Sequence, residues 1–520
     1  MKAATLRTFQ TVHTWTGLIA GFALFIAFYA GALTVFHADI AAWQNPPWRS
    51  EGDADVSLAT LIERLVADHP QTKDDFGIVL PSNASHAAYA YWQEDNQTRF
   101  ATYSNMASPS DDEGHAGSLA DFIYALHDSL GLPVVGMYLM GIVSLLYGLA
   151  LLSGVVIHLP RLLGDLFALR AGHNLKRLWQ DAHNAIGVVS LPFHIIFAVT
   201  GALLCLFTLL FAALNGLAFN GKLYEAYAQA INTAPPRTSS HIAAAMLPPD
   251  ELIDRARQAA KGGNVSSFEP DYLHYMHYGD RHAVIEVRGL SQHTLGTYGT
   301  VALSAVDGSV LAMHVGSTHT INGISNSAMY ALHFGSFGGR IVQWLYFALG
   351  LAGAFLFYSG NLLWIESRRK RRHIDQPRRT RVMARATIGV CIGTCLGISG
   401  AFAVTWIAGY LGVDAAWPQR VACYGLFLGA CAYACIRPIP RAAVELLLAT
   451  AVLTVGVAFA DLICNADMLI RDPSPQHHSV LGVDLTALCL GLVFMAFARA
   501  AARRARRGDP HSVWALASTS

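Results

Sequence analysis

The chain has 520 residues, 53% of them apolar and only 14% charged, the balance of a multi-span membrane protein and not of a soluble enzyme or a strongly charged nucleic-acid binder. A formal net charge of +1 says nothing about partners, so the placement of the charges has to be read instead. Eight cysteines, at 205, 391, 395, 423, 431, 435, 464 and 489, fall in or at the ends of apolar stretches, which argues against a disulfide framework or zinc fingers, and no Cys-x-x-Cys-His is present to attach a c-type haem.

Lys2 and Arg7 precede the first apolar run, about 15–36. Some 20 residues at ~1.5 Å each cross a hydrocarbon core of ~30 Å, and the run is too long for a signal-peptide core, so it reads as an uncleaved anchor. Residues 37–123 are polar, with an amphipathic helix at Leu58–Asp68 and strand-like pieces at Gly77–Leu80, Ala87–Trp92 and Arg99–Tyr103. A second apolar run covers about 133–158. A loop, 159–182, sets Arg161, Arg170, Lys176 and Arg177 against Asp165 and Asp181, and a third run follows at about 184–214. The second polar stretch, 215–329, opens with a helix at Asp250–Ala260 and continues with alternating segments Ala283–Val287 and Tyr298–Ala305 and a turn at Asp307-Gly308.

The fourth run, about 340–365, ends in Arg368-Arg369-Lys370-Arg371-Arg372, with Arg378, Arg379 and Arg381 beyond. Basic loops stay cytoplasmic, so this end, the N-terminus and loop 159–182 are expected inside and both polar stretches outside. Four more runs, about 384–410, 420–436, 441–462 and 479–499, close with Arg503-Arg504 and Arg506-Arg507. Arg437 and Arg441 fall inside by the same count. The expected organisation is a first span in 1–36, an extracytoplasmic domain in 37–132 and two spans with their cytoplasmic loop in 133–214. A second extracytoplasmic domain in 215–339, a fourth span with its basic run in 340–372 and a four-span extension in 373–520 complete it.

The first four spans repeat themselves. His13 and His183 are 183 − 13 = 170 residues apart, and the same offset relates Gly17 to Gly187 and Gly31-Ala32-Leu33 to Gly201-Ala202-Leu203. Tyr124-Ala125-Leu126-His127 recurs as Tyr330-Ala331-Leu332-His333, an offset of 206, which also carries Ser153-Gly154 onto Ser359-Gly360. Residues 13–157 and 183–365 therefore read as two editions of one span–domain–span unit. A direct repeat relates its halves by a pseudo-twofold along the membrane normal. His13 then faces His183 at the cytoplasmic ends of spans one and three, and His127 faces His333 at the outer ends of spans two and four. Paired imidazoles, with Gly17 and Gly187 one turn away to admit a flat ring, suit a six-coordinate b-type haem. Two nitrogen ligands leave iron no open position, so such a haem carries electrons and does not bind oxygen. One pair on each face makes a transmembrane relay. The competing reading, headgroup-level histidines, is weakened by four occurrences at repeat-equivalent places, since ionisable groups at span edges mark function.

His194, eleven residues and about 16 Å deeper than His183 on nearly the same helix face, either ligates or lines a haem or simply bonds a backbone carbonyl, and its repeat equivalent, Leu24, speaks against ligation. His37 and His158 read as interfacial. His274, Met276, His277 and His282, with Met313, His314 and His319, suggest either a soft-metal site or a half-buried strand face, the latter being favoured. Cys391/Cys395 and Cys431/Cys435 read as small packing residues.

These motifs resemble the PepSY-associated transmembrane proteins: His13-x-Trp15-x-Gly17, Leu126-His127, Ser153-Gly154, His183 with Thr200-Gly201, and Leu332-His333 with Ser359-Gly360. The resemblance covers about 1–372 and implies that the two polar stretches are PepSY-like domains. With the repeat and the apolar runs, the expected fold is an all-α polytopic membrane protein of about eight spans with two small α+β PepSY-like extracytoplasmic domains and internal duplication, the last four spans departing from the family's four-span core. Among such proteins it looks like the inner-membrane ferric-siderophore reductases of the ferrioxamine type. That implies two b-type haems, with His13, His127, His183 and His333 as iron ligands, a periplasmic ferric siderophore as substrate and a cofactor-based reaction without a catalytic side chain. No Gly-x-Gly-x-x-Gly follows a strand, so electrons are expected from a membrane quinol or a separate cytoplasmic donor. The bacterial inner membrane is the expected location, with the lipid bilayer and no nucleic acid as partner. Two rival readings are a PepSY sensor or peptidase-inhibitor module, and a haem or siderophore transporter.

Overall fold

A computed structural model describes the chain except for residues 1–2, 46–55, 82–86, 96, 111–117, 160–174, 232, 266, 292–293, 371–372, 374, 467–474 and 517–520. Most of the expected loop 159–182, with Arg161, Asp165 and Arg170, and the basic residues Arg371 and Arg372 lie outside the described residues.

In chain order the elements are α1 (Ala3–Thr34), α2 (His37–Gln44), α3 (Leu58–Asp68), β1 (Asp75–Val79), β2 (Tyr89–Glu94), β3 (Gln97–Ala101), α4 (Leu119–Ser129), α5 (Val135–His158), α6 (Leu175–Val189), α7 (Leu191–Leu217) and α8 (Leu223–Ile231). They continue with α9 (Pro249–Gly262), β4 (Glu269–Met276), β5 (Val284–Leu290), β6 (Tyr298–Ser304), β7 (Val310–His314), α10 (Ile321–Phe334) and α11 (Gly339–Ser367). The extension holds α12 (Arg378–Leu411), with a π-helical turn at Ile388–Ile392, then α13 (Ala416–Ile436), α14 (Ile439–Cys464) and α15 (Pro475–Arg507). Eight of these, α1, α5, α7, α11, α12, α13, α14 and α15, are long and apolar enough to cross a membrane, and the protein is a multi-pass membrane protein. The third expected span is preceded by a separate helix, because α6 ends at Val189 and α7 restarts at Leu191.

The chain divides into two compact units. One comprises 1–44, 117–206 and 346–520, and the other 45–116 and 207–345. In the helical unit α1 packs on α4 and α5, α12 on α13 and α14, and α14 on α15. Short helices α2 and α4 belong to this unit and not to the polar domain expected over 37–132. They are tied to each other: His37 Nε2 bonds Asp121 Oδ1 at 2.8 Å, and Gln44 Oε1 accepts from the Leu119 N–H at 2.6 Å. Ser118 caps α4 by accepting from the Asp121 N–H.

The second unit differs from the expectation of two separate small domains. Its strands form one seven-stranded antiparallel sheet in the order β3-β2-β1-β4-β5-β6-β7. The seam is β1 against β4, in the register Phe76↔Tyr275, Gly77↔His274 and Ile78↔Leu273, so the first strand of each set lies beside the other. Amphipathic α3, capped by Ser57, and α9 bury Leu61, Ile62, Leu65, Leu252, Ile253 and Ala256 against Phe76, Ile78, Leu273, Tyr275, Ile285, Val287 and Val301 in one core. A strand of five residues, such as β1, hides little apolar area alone, and pairing its edge satisfies backbone groups that two isolated sheets would expose. At the seam a Cβ on Gly77 would lie 2.5 Å from the Tyr272 hydroxyl, which itself bonds Tyr91 Oη at 2.5 Å.

Candidate functional site

Within the helical unit the rings of His13 on α1 and His183 on α6 face each other, with centroids 6.2 Å apart and planes at 79°. Each ring is held from behind by a helix carbonyl. His13 Nδ1 bonds Ala150 O of α5 at 2.9 Å, and His183 Nδ1 bonds Leu356 O of α11 at 3.1 Å. A carbonyl only accepts, so the proton of each neutral ring is on Nδ1 and the lone pair is on Nε2. Ala150 and Leu356 are themselves separated by 206 residues (356 − 150), the offset between the two Tyr-Ala-Leu-His motifs.

The Ser-Gly pairs found in the sequence build these holders. Ser153 and Ser359 are fully buried. Ser153 Oγ donates within its helix to Leu149 O and Ala150 O, Ser359 Oγ donates to Leu356 O, and Ser359 Oγ also lies 3.3 Å from His183 Nδ1. Gly154 and Gly360 supply the clearance: a Cβ would sit 3.1 Å from His13 Cε1 in one case and 3.3 Å from His183 Cε1 in the other. One turn along from each histidine the helix is uncrowded. A Cβ on Gly17 would meet nothing within 4 Å, and one on Gly187 only Leu356 Cδ1 at 3.7 Å.

The 6.2 Å separation would suit two imidazoles sharing one metal ion. Imidazole–metal bonds of about 2 Å, with about 1.1 Å from each ring nitrogen to its centroid, place the centroids of a bis-imidazole pair about 6 Å apart. Nδ1–H to a backbone carbonyl is the outer hydrogen bond that fixes a metal-ligating histidine and raises the basicity of its other nitrogen.

His127 on α4 is held in the same manner. Its Nδ1 bonds Ala27 O of α1 at 2.8 Å, and Gly31 is pressed on the ring so closely that a Cβ would lie 2.6 Å from Nδ1. Burial lowers the basicity of His127, opposed by the Ala27 carbonyl and the Asp128 charge, which favours the neutral ring. Ala27 is 14 residues beyond His13 (27 − 13), about 21 Å along the helix. His333 belongs to the sheet unit, on α10, whose N-terminus Thr320 caps; its ring meets that of Phe334 edge-on at 5.4 Å. The structure thus brings His13 and His183 together, while His127 and His333 fall in different units.

His194 takes the non-ligating role, with side-chain hydroxyls as its partners instead of a backbone carbonyl. It is completely buried, with Nδ1 bonded to Tyr147 Oη at 2.5 Å and Nε2 to Ser190 Oγ at 2.9 Å. Both nitrogens are engaged, so no lone pair is left for iron. Phe28, Phe193 and Tyr147 surround it with ring centroids 5.7–6.0 Å away, and Phe28 is itself seated against Gly353, where a Cβ would lie 2.3 Å from its ring. His194 is a satisfied core histidine.

Among the described residues no group of three or more His, Cys, Asp or Glu could hold a metal ion. Of the histidines in the candidate soft-metal set, His277 is engaged with Arg237 O, His282 with Thr238 O, His314 with Thr233 Oγ1 and His274 with Asp75, while both ring nitrogens of His319 are buried with no hydrogen-bond partner among the described residues. His274 occupies a half-buried strand face beside Tyr272. Every described cysteine is free.

A family model for the PepSY-associated TM region matches residues 10–367. An uncharacterized protein of Pseudomonas aeruginosa is 26% identical to the chain over 281 residues, covering 52% of this chain and 69% of its own length.

Proposed function

The chain belongs to the PepSY-associated transmembrane family, whose model matches residues 10–367, and from that premise we propose that it is a bacterial inner-membrane oxidoreductase holding two b-type haems and reducing a ferric siderophore outside the cytoplasm. His13 and His183 would hold one haem, and His127 with His333 the other. The observation that carries the reading is the facing pair His13–His183, 6.2 Å apart, with both Nδ1 atoms bonded to helix carbonyls.

When bound, a bis-imidazole haem exchanges single electrons and offers oxygen no iron site. The chain's own part is placement. Ala150 and Leu356 orient the rings and keep both Nε2 atoms deprotonated, Gly154 and Gly360 let them seat, and Gly17 and Gly187 leave room beside them. The substrate needs no nucleophile or base. Fe(III) is a hard ion gripped by oxygen donors, and one added electron loosens that grip. The basic segments after α11 and α15 set the cytoplasmic side by charge, and a membrane quinol or a cytoplasmic donor supplies the electrons.

The test is the visible spectrum of the protein purified from haem-replete cells, followed by mixing the dithionite-reduced form with a ferric hydroxamate. A Soret band with sharp reduced α bands, bleached within the mixing time by the chelate, is expected. A colourless protein would point to the sensor or peptidase-inhibitor module, and a coloured protein that the chelate leaves reduced would remove the reductase.

A further inference from the structure

The four-span extension contains two carboxylates that neither the repeat nor the haem reading uses. Asp461 near the end of α14 and Asp484 on α15 are 3% and 1% exposed and lie within hydrogen-bonding reach of each other. Their Oδ1 atoms are served by donors. Asp461 Oδ1 accepts from Trp406 Nε1 at 2.9 Å and Asn465 Nδ2 at 2.8 Å, and Asp484 Oδ1 accepts from Trp43 Nε1 at 3.0 Å. Their Oδ2 atoms are both buried and neither meets a donor among the described residues.

Two buried anions side by side repel, and each also loses its hydration, a loss of several kcal/mol per ion. A single proton removes one of the charges and is the donor that both Oδ2 atoms lack. Three N–H groups on the Oδ1 atoms then stabilise the remaining charge. Among the described residues, His37 and Asp39 on α2, Asp414 and Arg420 around the start of α13, and His478 on α15 are titratable or charged groups at this end, and no hydrogen bond from any of them reaches either Oδ2. A carboxylate inside a membrane bundle is costly and is kept for a purpose. We propose that Asp461 and Asp484 form a binding site for one proton, held between their Oδ2 atoms, so that the extension carries a protonatable acid–carboxylate pair. Uptake of H⁺ converts two carboxylates into one acid and one carboxylate, release reverses this, and no electron moves. The proposal does not rest on the haem reading.

Infrared spectra of the full-length protein in H₂O and D₂O test it. The wild type should show a protonated-carboxyl carbonyl band that shifts in D₂O and disappears as pH rises to the point where the shared proton leaves. Asp461→Asn and Asp484→Asn each put an amide donor where the proton was, so each should lose that band while the protein still folds, and its melting temperature should lose the fall at high pH seen in the wild type. An unchanged band in both variants overturns the proposal. If the variants do not fold, the wild type decides alone: no such band at any pH, or a band that sodium abolishes and choline restores, assigns the pair to packing or to a metal cation instead.

Discussion

His13, His127 and His183 of the helical unit and His274 of the sheet unit are the same residue type put to opposite uses, and the acceptor decides which. His13, His127 and His183 each give Nδ1–H to a neutral helix carbonyl. A carbonyl fixes the tautomer without adding charge, which makes Nε2 the ring atom that would bind a metal. His274, on the β1–β4 seam, sits between two carboxylates: its Nε2 lies 3.1 Å from Asp75 and its Nδ1 3.6 Å from Glu286. Burial works against its charge, but those two acids outweigh burial and raise it to about 9. It is an ion-pair residue and no ligand. His194 falls between the classes. It belongs to the helical unit like the first set, yet both nitrogens are consumed.

Removing the ring should break the comparison most sharply. His13→Ala or His183→Ala is expected to abolish one of two haems, halving the haem-to-protein ratio measured by pyridine haemochrome, because one axial ligand does not hold a six-coordinate site. The same substitution at His274 should leave the ratio unchanged. Two haems retained in either helical variant would remove the pairing.

Next in size is the seat of the ring. Gly31→Val would drive its side chain into His127, where even a Cβ approaches to 2.6 Å. The His127 ring must move off the Ala27 carbonyl, and loss of most of one haem with the His13–His183 haem preserved is expected in the low-temperature α-band spectrum. A similar but weaker effect is expected of Gly154→Ala, where the first contact is at 3.1 Å.

His194→Leu, the residue of the repeat-equivalent position Leu24, separates a core histidine from a ligand. It strands Tyr147 Oη and leaves Ser190 Oγ only its bond to Ile186 O, so it should cost about 1–3 kcal/mol of stability, read as a lower melting temperature, and no haem. Loss of a haem would return His194 to the ligand set.

Much of this was legible in the chain because lipid imposes a simple rule. A run expected at 133–158 is α5, Val135–His158, and the amphipathic spacing at Leu58–Asp68 gives α3 with those bounds. The break at Ser190 was not legible, since the apolar pattern runs on through it. Nor was the joined sheet. Asp75 and Met276 pair across 201 positions (276 − 75), and local periodicity says nothing about which edges meet. Strand β4 alternates Tyr272, His274 and Met276 with Leu273 and Tyr275, which favours a half-buried strand face from the sequence alone, but the carboxylates Asp75 and Glu286 beside His274 come from other strands and are not legible there. The Ser-Gly pairs pointed to the ligand level, but their task, a shared carbonyl and clearance for a ring, needs a partner helix to be seen. Asp461 and Asp484 stood in apolar runs as lone acids and carried no motif, which is why only their pairing in space singles them out.

The smallest expected effect concerns pH, and it tests the charged half of the comparison. His274 is raised from 6.5 to about 9, so its contribution to folding is complete below pH 6.5 and is lost as pH climbs through 9. Glu286 is held at about 2 against an ordinary 4.5: burial opposes its charge, while His274, the Ala234 N–H and Arg288 outweigh that. Its contribution is therefore complete above pH 4.5 and is lost as pH falls towards 2. Strand β4, between β1 and β5, should be most protected between those limits, at about pH 4.5–6.5. Amide hydrogen exchange of Tyr272–Met276, corrected for the intrinsic rate at each pH, should quicken by an amount on the order of 2 kcal/mol between pH 6 and 9.5. His274→Gln keeps a donor but no titrating charge, and should flatten that alkaline limb while leaving the acid limb in place. An alkaline limb that persists in the variant would mean the carboxylates hold the seam without the imidazolium, and the distinction between the two kinds of histidine would rest on geometry alone.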